Sequence, residues 1–289
     1  MARNILLCSD LDRTVLPNGP QEESPDARPL LCALCERPDV TLAYVSGRHK
    51  ELLRQAISTY AIPAPDYAIG DVGTTIYDGI GGRWAPWQAW SAEIGGDWGP
   101  MERHDLERLF SDISALRLQE PEKQNTFKLS YYADMIVDKD PLLDEMAARL
   151  GGVGVQASLI WSLDEAAHTG LLDVLPARAT KLHAVRFLME RKGFTEQQTV
   201  FCGDSGNDLP ALTSGLQAVL VRNAREEVRQ LAKEGVAARG AEDQLYLACG
   251  GFLDMNGNYS AGVLEGVCHF FPELTDWLRE VRQRIRVGE

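Results

Sequence analysis

Four short segments of this 289-residue chain place carboxylates, a hydroxyl and an ammonium where open α/β sheets keep their chemistry. Asp10-Leu11-Asp12-Arg13-Thr14 follows one apolar run and Ser46-Gly47-Arg48 follows a second. Lys181 opens an amphipathic stretch, and Gly203-Asp204-Ser205-Gly206-Asn207-Asp208 ends a third apolar run. Residues two apart on an extended chain face the same side, so Asp10 and Asp12 can point into one cleft. Clustered carboxylates repel one another and stay ionised together only beside a cation. Hard oxygen donors with room for water and phosphate suit Mg2+, which would also offset the charge of an anionic substrate.

These segments need a scaffold, and the pattern of apolar runs supplies one. Asn4–Cys8, Val40–Val45, Tyr67–Ile69 with Thr74–Tyr77, Leu171–Pro176, Thr199–Cys202 and Gln217–Val221 read as buried strands. Amphipathic helices are expected between them: after Pro25, from Arg48 to about Tyr60, and from Lys181 to Lys192 with Gly193 closing it. Two more are expected near 225–234 and 273–286. Strands alternating with helices predict an α/β class with a Rossmann-like parallel sheet. The pattern changes over 83–172, where helices near 103–116 and 141–150 and strands near 126–132 and 154–161 suggest a smaller α+β insertion. The expected organisation is a core of 1–82 plus 173–289 and an insertion of 83–172.

Composition narrows the function classes. The chain is 45% hydrophobic and 25% charged, and 42 acids against 29 bases give a net charge of −13. Such a field repels nucleic acid and anionic lipid. No apolar stretch approaches membrane-spanning length, and no signal peptide is read at the N-terminus, so the expected compartment is the cytoplasm. Six scattered cysteines read as reduced, packed thiols, including the Cys32–Cys35 pair on a helix. Trp84, Trp87, Trp90 and Trp98 read as packing rather than a sugar platform. Asp254, Asn256, Asn258 and Glu265 match four positions of a calcium loop, but Tyr259 replaces its glycine, and Asn256-Gly257 suits a hairpin turn. No phosphate-cradling GxxxxGK[ST] occurs, and His49, His104, His168, His183 and His269 lack metal spacing.

Taken together, DLDRT, the Ser of VSGR, the isolated Lys181 and GDSGND resemble the haloacid dehalogenase superfamily of phosphohydrolases over nearly the whole chain. An insertion between the second and third motifs resembles its type II-B members, whose fold is a core with an inserted α+β cap. Several stretches are similar to the sucrose-6-phosphate phosphatase branch: Pro65-Asp66-Tyr67, Asp71–Thr74, Lys128–Tyr131, Asp173–Pro176, Val221–Ala224 and Ala261–Gly266. Two positions depart from the common pattern. Arg13 stands where many relatives carry Gly or Asn, making the backbone there less permissive, and Leu182 follows the lysine in place of Gly.

The resemblance implies a phosphoric monoester hydrolase acting through an aspartyl phosphate. Asp10 is then the nucleophile and Asp12 the general acid and base, with Ser46 and Lys181 holding the phosphoryl group. Mg2+ would be bound by Asp10, the Asp12 carbonyl, Asp204 and Asp208. Substrate contacts are expected from Ser46, Gly47, Arg48, Asp71, Lys128, Lys181 and Asn207. Sucrose 6-phosphate is the leading substrate; mannosylfructose phosphate, trehalose 6-phosphate and mannosyl-3-phosphoglycerate are the alternatives, with a sugar phosphomutase behind them. A monomer is expected, and association with a sucrose-phosphate synthase is left open.

Overall fold

A computed structural model describes residues 4–134, 136–164 and 168–287. The chain begins with β1 (Ile5–Ser9), α1 (Ala27–Cys35), β2 (Val40–Val45), α2 (Lys50–Tyr60), β3 (Tyr67–Gly70), β4 (Thr75–Asp78) and β5 (Ala85–Pro86). Next come α3 (Gln88–Gly95), α4 (Arg103–Leu109), β6 (Leu116–Leu118), β7 (Leu129–Ala133), α5 (Lys139–Gly152), β8 (Ala157–Asp164) and β9 (Thr169–Pro176). It then runs through α6 (Lys181–Lys192), β10 (Thr199–Gly203), α7 (Leu209–Leu212), β11 (Gln217–Leu220) and α8 (Glu226–Ala237). It closes with β12 (Leu245–Leu247), α9 (Ser260–Phe270) and α10 (Leu274–Val287).

Eight strands form one sheet in the order β12-β11-β10-β1-β2-β3-β4-β5, parallel from β12 to β3 and antiparallel at β4 and β5. Five of the six parallel strands, β1, β2, β3, β10 and β11, lie where the apolar runs predict them; β12 was not among those runs, and Thr75–Asp78, expected with β3 as one interrupted strand, turns back antiparallel. Side chains alternate cleanly across this sheet. Ile5, Leu7, Leu42, Tyr44, Val200 and Cys202 pack under α1, α2, α9 and α10. Leu6, Cys8, Ala43, Val45, Phe201 and Leu220 pack under α3, α6, α7 and α8. From β1 the chain moves outward through β2 and β3, then returns to β10 on the other side of β1. That reversal is where an open sheet leaves a crevice at its carboxyl edge.

A second, antiparallel sheet runs β6-β7-β9-β8. Leu129, Tyr131, Leu172 and Val174 from one face pack with Leu106 of α4, Phe110 just beyond it, and Leu142 and Met146 of α5. Its other face carries Lys128 at the foot of β7, with Ser130, Asp173 and Ile160, which stand opposite one another across three strands. The segments joining the two sheets are tied together where Arg178 donates from its backbone and Nε to the buried Asp97 carboxylate, both at 2.7 Å.

Three expectations are corrected here. Leu171–Pro176 is not the first strand of the returning core but part of β9, paired on both edges within the second sheet, so a boundary between 172 and 173 falls inside a strand. Trp84, Trp87 and Trp90, by contrast, pack as expected, here against the first sheet: Trp87 meets Tyr67 at 5.4 Å and Trp90 meets Phe187 at 5.1 Å between ring centroids. The helix expected over 103–116 ends at Leu109, where Ser111 turns its hydroxyl back to the Arg108 carbonyl. Asn256-Gly257 makes no hairpin but leads into α9, which lies against β11. A Cβ on Gly262 or Gly266 would stand 2.3 Å from its nearest neighbour, so glycine is what permits that approach.

Candidate active site

β1 and β10 run side by side with Ser9 opposite Cys202. The Asp10 N–H donates to the Cys202 carbonyl at 2.9 Å, a last ladder bond that fixes the Asp10 backbone. The chain then folds sharply, with the N–H groups of Thr14, Val15 and Leu16 all returning to the Leu11 carbonyl. Leu11 and Leu16 are fully buried and anchor the bend. Arg13, at its crest, adopts φ +62°, a left-handed conformation that costs a residue with a Cβ about 1–2 kcal/mol.

On the neighbouring strand, Gly203 leads into Asp204 and a single tight turn. Asp208 closes that turn by accepting from the Asp204 N–H, the Ser205 N–H and the Ser205 hydroxyl at 3.0–3.2 Å. A Cβ on Gly203 would lie 2.7 Å from the Asp208 side chain, so the strand must end on glycine. Thr180 caps α6 by accepting the His183 N–H at 3.1 Å, which makes Lys181 the first helical residue. From there Lys181 Nζ reaches Asp10 Oδ1 at 2.7 Å and Asp208 Oδ1 at 2.8 Å. The Thr14 hydroxyl sits 3.4 Å from Asp10 Oδ2 and 3.5 Å from Asp204 Oδ1.

Asp10, Asp204 and Asp208 each bring a carboxylate oxygen within 4.8 Å of the others. Lys181, between Asp10 and Asp208, and Arg13, 3.3 Å from Asp204, leave three buried carboxylates with two cations. Burial, helped by Asp208 and Asp204, pushes the Asp10 carboxyl up to about 7 against the pull of Lys181. Burial and Asp208 likewise push Asp204 up to about 6, against Arg13 and Lys181. Burial disfavours the Lys181 ammonium, but Asp10 and Asp208 outweigh it and hold the proton on. A cluster of oxygen donors short of positive charge fits a hard divalent ion such as Mg2+. The lone pairs of Asp208 are largely committed, so the open donor positions are on Asp10 and Asp204.

A cleft of about 780 Å³ opens above these groups, and Ser46, Gly47, Lys181 and Asn207 line it. Asp12 lines it too, but its carboxylate is clamped. Arg48 donates from Nε to Oδ2 at 2.8 Å and from Nη2 to Oδ1 at 2.6 Å, and Asn18 donates to Oδ1 at 2.7 Å. Burial opposes ionisation of Asp12, yet the Arg48 and Asn18 bonds prevail and hold its carboxyl below the usual range. Ser46 is buried, its hydroxyl accepting the Arg48 N–H at 3.2 Å.

Asp71, expected as a substrate contact, is set back from the cleft lining. Its carboxylate is buried and accepts the Tyr77 hydroxyl at 2.8 Å, and Val72 lines the cleft instead. Lys128 is buried 3.6 Å from Asp173, on the sheet face whose Ser158 and Ile160 line the cleft. Asn18, Thr14 and Asn223 were missed as supports of the acidic turn; Thr14 was visible in the motif and Asn223 in the Val221–Ala224 stretch, whereas Asn18 carries only the ordinary signature of a loop residue. The calcium-loop positions serve the fold. Glu265 accepts from Tyr246 and the Cys249 and Gly250 amides, and Asp254 accepts from Arg282. Among the described residues no helix is long and apolar enough to cross a membrane.

Comparison with known proteins places this geometry in context. The model of the sucrose-6F-phosphate phosphohydrolase family matches residues 3–271. A protein of Nitrosococcus oceani, named only as a haloacid dehalogenase-like hydrolase, is 59% identical over 98% of this chain and 76% of its own length. Sucrose-phosphatase 1 of Nicotiana tabacum is 28% identical over 93% of the chain, which spans only 60% of that relative. The crystal structure of the sucrose-phosphatase from Synechocystis, solved with sucrose and phosphate, superposes with a TM-score of 0.69 at 27% identity. The match covers 93% of this chain and 98% of that one.

Proposed function

This chain belongs to the sucrose-6F-phosphate phosphohydrolase family, in the haloacid dehalogenase superfamily, and from that premise we propose that it hydrolyses sucrose 6-phosphate to sucrose and phosphate in the cytoplasm, ending sucrose synthesis. The observation that carries this reading is the convergence of Asp10, Lys181, Asp204 and Asp208 at the carboxyl ends of β1 and β10.

In the proposed reaction Asp10 attacks phosphorus and takes up the phosphoryl group as an aspartyl phosphate, which divides one hard displacement into two easier ones. Lys181 and Ser46 hold phosphoryl oxygens and oppose their charge as the bond loosens. Asp12 protonates the departing sugar oxygen and then takes a proton from the attacking water. An ion-paired carboxylate has no proton to give, so Arg48 and Asn18 must release Asp12 when substrate enters. Asp10, the Asp12 carbonyl and Asp204 would hold Mg2+, with Asp208 behind them. When bound, the ion would neutralise charge on the phosphoryl oxygens and relieve the repulsion among these carboxylates. The second sheet, with α4 and α5, serves as the cap that selects the sugar, and Lys128, on its cleft-facing side, is its proposed sugar contact.

A panel of sucrose 6-phosphate, mannosylfructose phosphate, trehalose 6-phosphate and mannosyl-3-phosphoglycerate at equal concentration tests the substrate. The highest kcat/KM is expected for sucrose 6-phosphate, with free phosphate released and turnover abolished by chelator. A tenfold preference for another member, or phosphoryl transfer between sugars without free phosphate, would replace this assignment.

A further inference from the structure

Arg13 is held in place from several sides. Its backbone pays for φ +62°, and its N–H donates to Asn18 Oδ1 at 2.8 Å. Asn223 grips it in both directions: the Asn223 amide donates to the Arg13 carbonyl at 2.6 Å, and the Asn223 carbonyl accepts from Arg13 Nη2 at 3.4 Å. The loop at Gly19 closes over the side chain, where a Cβ would come 3.5 Å from Arg13 Nε. That Nε is buried and makes no hydrogen bond, but it lies 3.3 Å from Asp204 Oδ2. Nothing in this arrangement serves hydrophobic packing. A half-buried arginine on a strained backbone, its Nε fully covered, is aimed at one of the two carboxylates with open donor positions.

We propose that Arg13 is a fixed counter-cation for Asp204 that weakens the grip of the acidic site on its divalent ion. The inference rests on the reading that Asp10 and Asp204 bind such an ion. With Arg13 beside Asp204, an arriving cation meets a carboxylate whose charge is already partly balanced. Even screened as fully as in bulk water, a unit charge this close changes the affinity for a divalent cation by roughly tenfold. The ion therefore exchanges readily, and in the empty site Asp204 keeps a cation beside it, as Asp10 and Asp208 keep Lys181.

The test is direct binding of Mn2+, without substrate, followed by the electron paramagnetic resonance signal of the free ion. Arg13→Asn suits the left-handed backbone and removes the charge, whereas Arg13→Lys keeps the charge and is expected to bind as the parent chain does. Arg13→Asn is expected to bind Mn2+ roughly tenfold more tightly, with Mg2+ displacing it at correspondingly lower concentration. Unchanged or weaker binding in Arg13→Asn, with its melting curve intact, would overturn the proposal while leaving the catalytic reading in place. Absence of Mn2+ binding in both chains would overturn the metal reading itself, and this inference with it.

Discussion

Asp10 occupies surroundings hostile to its own charge, and so does Asp204; burial lifts their carboxyls to about 7 and about 6. A carboxyl raised in this way holds its proton more tightly in the folded chain than in the unfolded one. Its stabilising contribution is therefore complete below the ordinary value of 3.8 and is lost as the pH rises through the folded values. The ion restores what is lost, because it binds the deprotonated form. Saturating Mg2+ should accordingly raise Tm by several degrees more at about pH 8 than at about pH 5. Equal shifts at both would mean that these carboxyls do not face the ion. Asp12 poses a separate test, since a sugar alkoxide departs poorly without a proton whereas a nitrophenolate needs none. Asp12→Asn should lower kcat for a sugar phosphate by roughly 10²-fold or more and for p-nitrophenyl phosphate far less. Equal losses would assign Asp12 to positioning rather than to proton transfer.

The elements act by holding these groups at fixed separations. Gly203 shows how tightly: in Gly203→Ala the new methyl would press on Asp208 at 2.7 Å, disturbing the bonds from Lys181 and Ser205. Loss of about 1–3 kcal/mol in denaturant unfolding is expected, with kcat reduced at least tenfold. Full activity in that variant would show that Asp208 needs no fixed position. Most of this framework was readable from local pattern. β2, α6 and β10 lie where their apolar periodicity puts them, because each is bounded by strong stop signals such as Ser46, Gly193 and Gly203. α9 escaped detection because residues 260–268 are buried on every side and show no polar face, while its glycines resemble turn punctuation. β9 was misplaced because Leu171–Pro176 is an apolar run like those of the core, and only its pairing with β7 and β8 reveals which sheet it joins. The four motifs were legible as chemistry; the Arg48 clamp on Asp12 was not, since it joins groups 36 residues apart.

At the scale of the molecule, two sheets face one another across the cleft and divide the work. The first fixes the acidic cluster and Lys181 at the edge of β1 and β10, and the second lays Ser158 and Ile160 along the cleft, on the face that also carries Lys128, Ser130 and Asp173. If that face chooses the sugar, Lys128→Ala should raise KM for sucrose 6-phosphate several-fold and leave p-nitrophenyl phosphate nearly unaffected. Equal damage to both substrates would make Lys128 a structural residue paired with Asp173. A net charge of −13 gives no general attraction for an anionic substrate, so its capture depends on the few cations lining the cleft, Lys181 and Arg13 among them. The claim on which all of this rests is that Asp10 carries the phosphoryl group. Rapid acid quench of the enzyme turning over 32P-labelled sucrose 6-phosphate with Mg2+ addresses it most directly. The account predicts transient label on the peptide containing Asp10 and none in Asp10→Asn; turnover without label, or label on another residue, would contradict it.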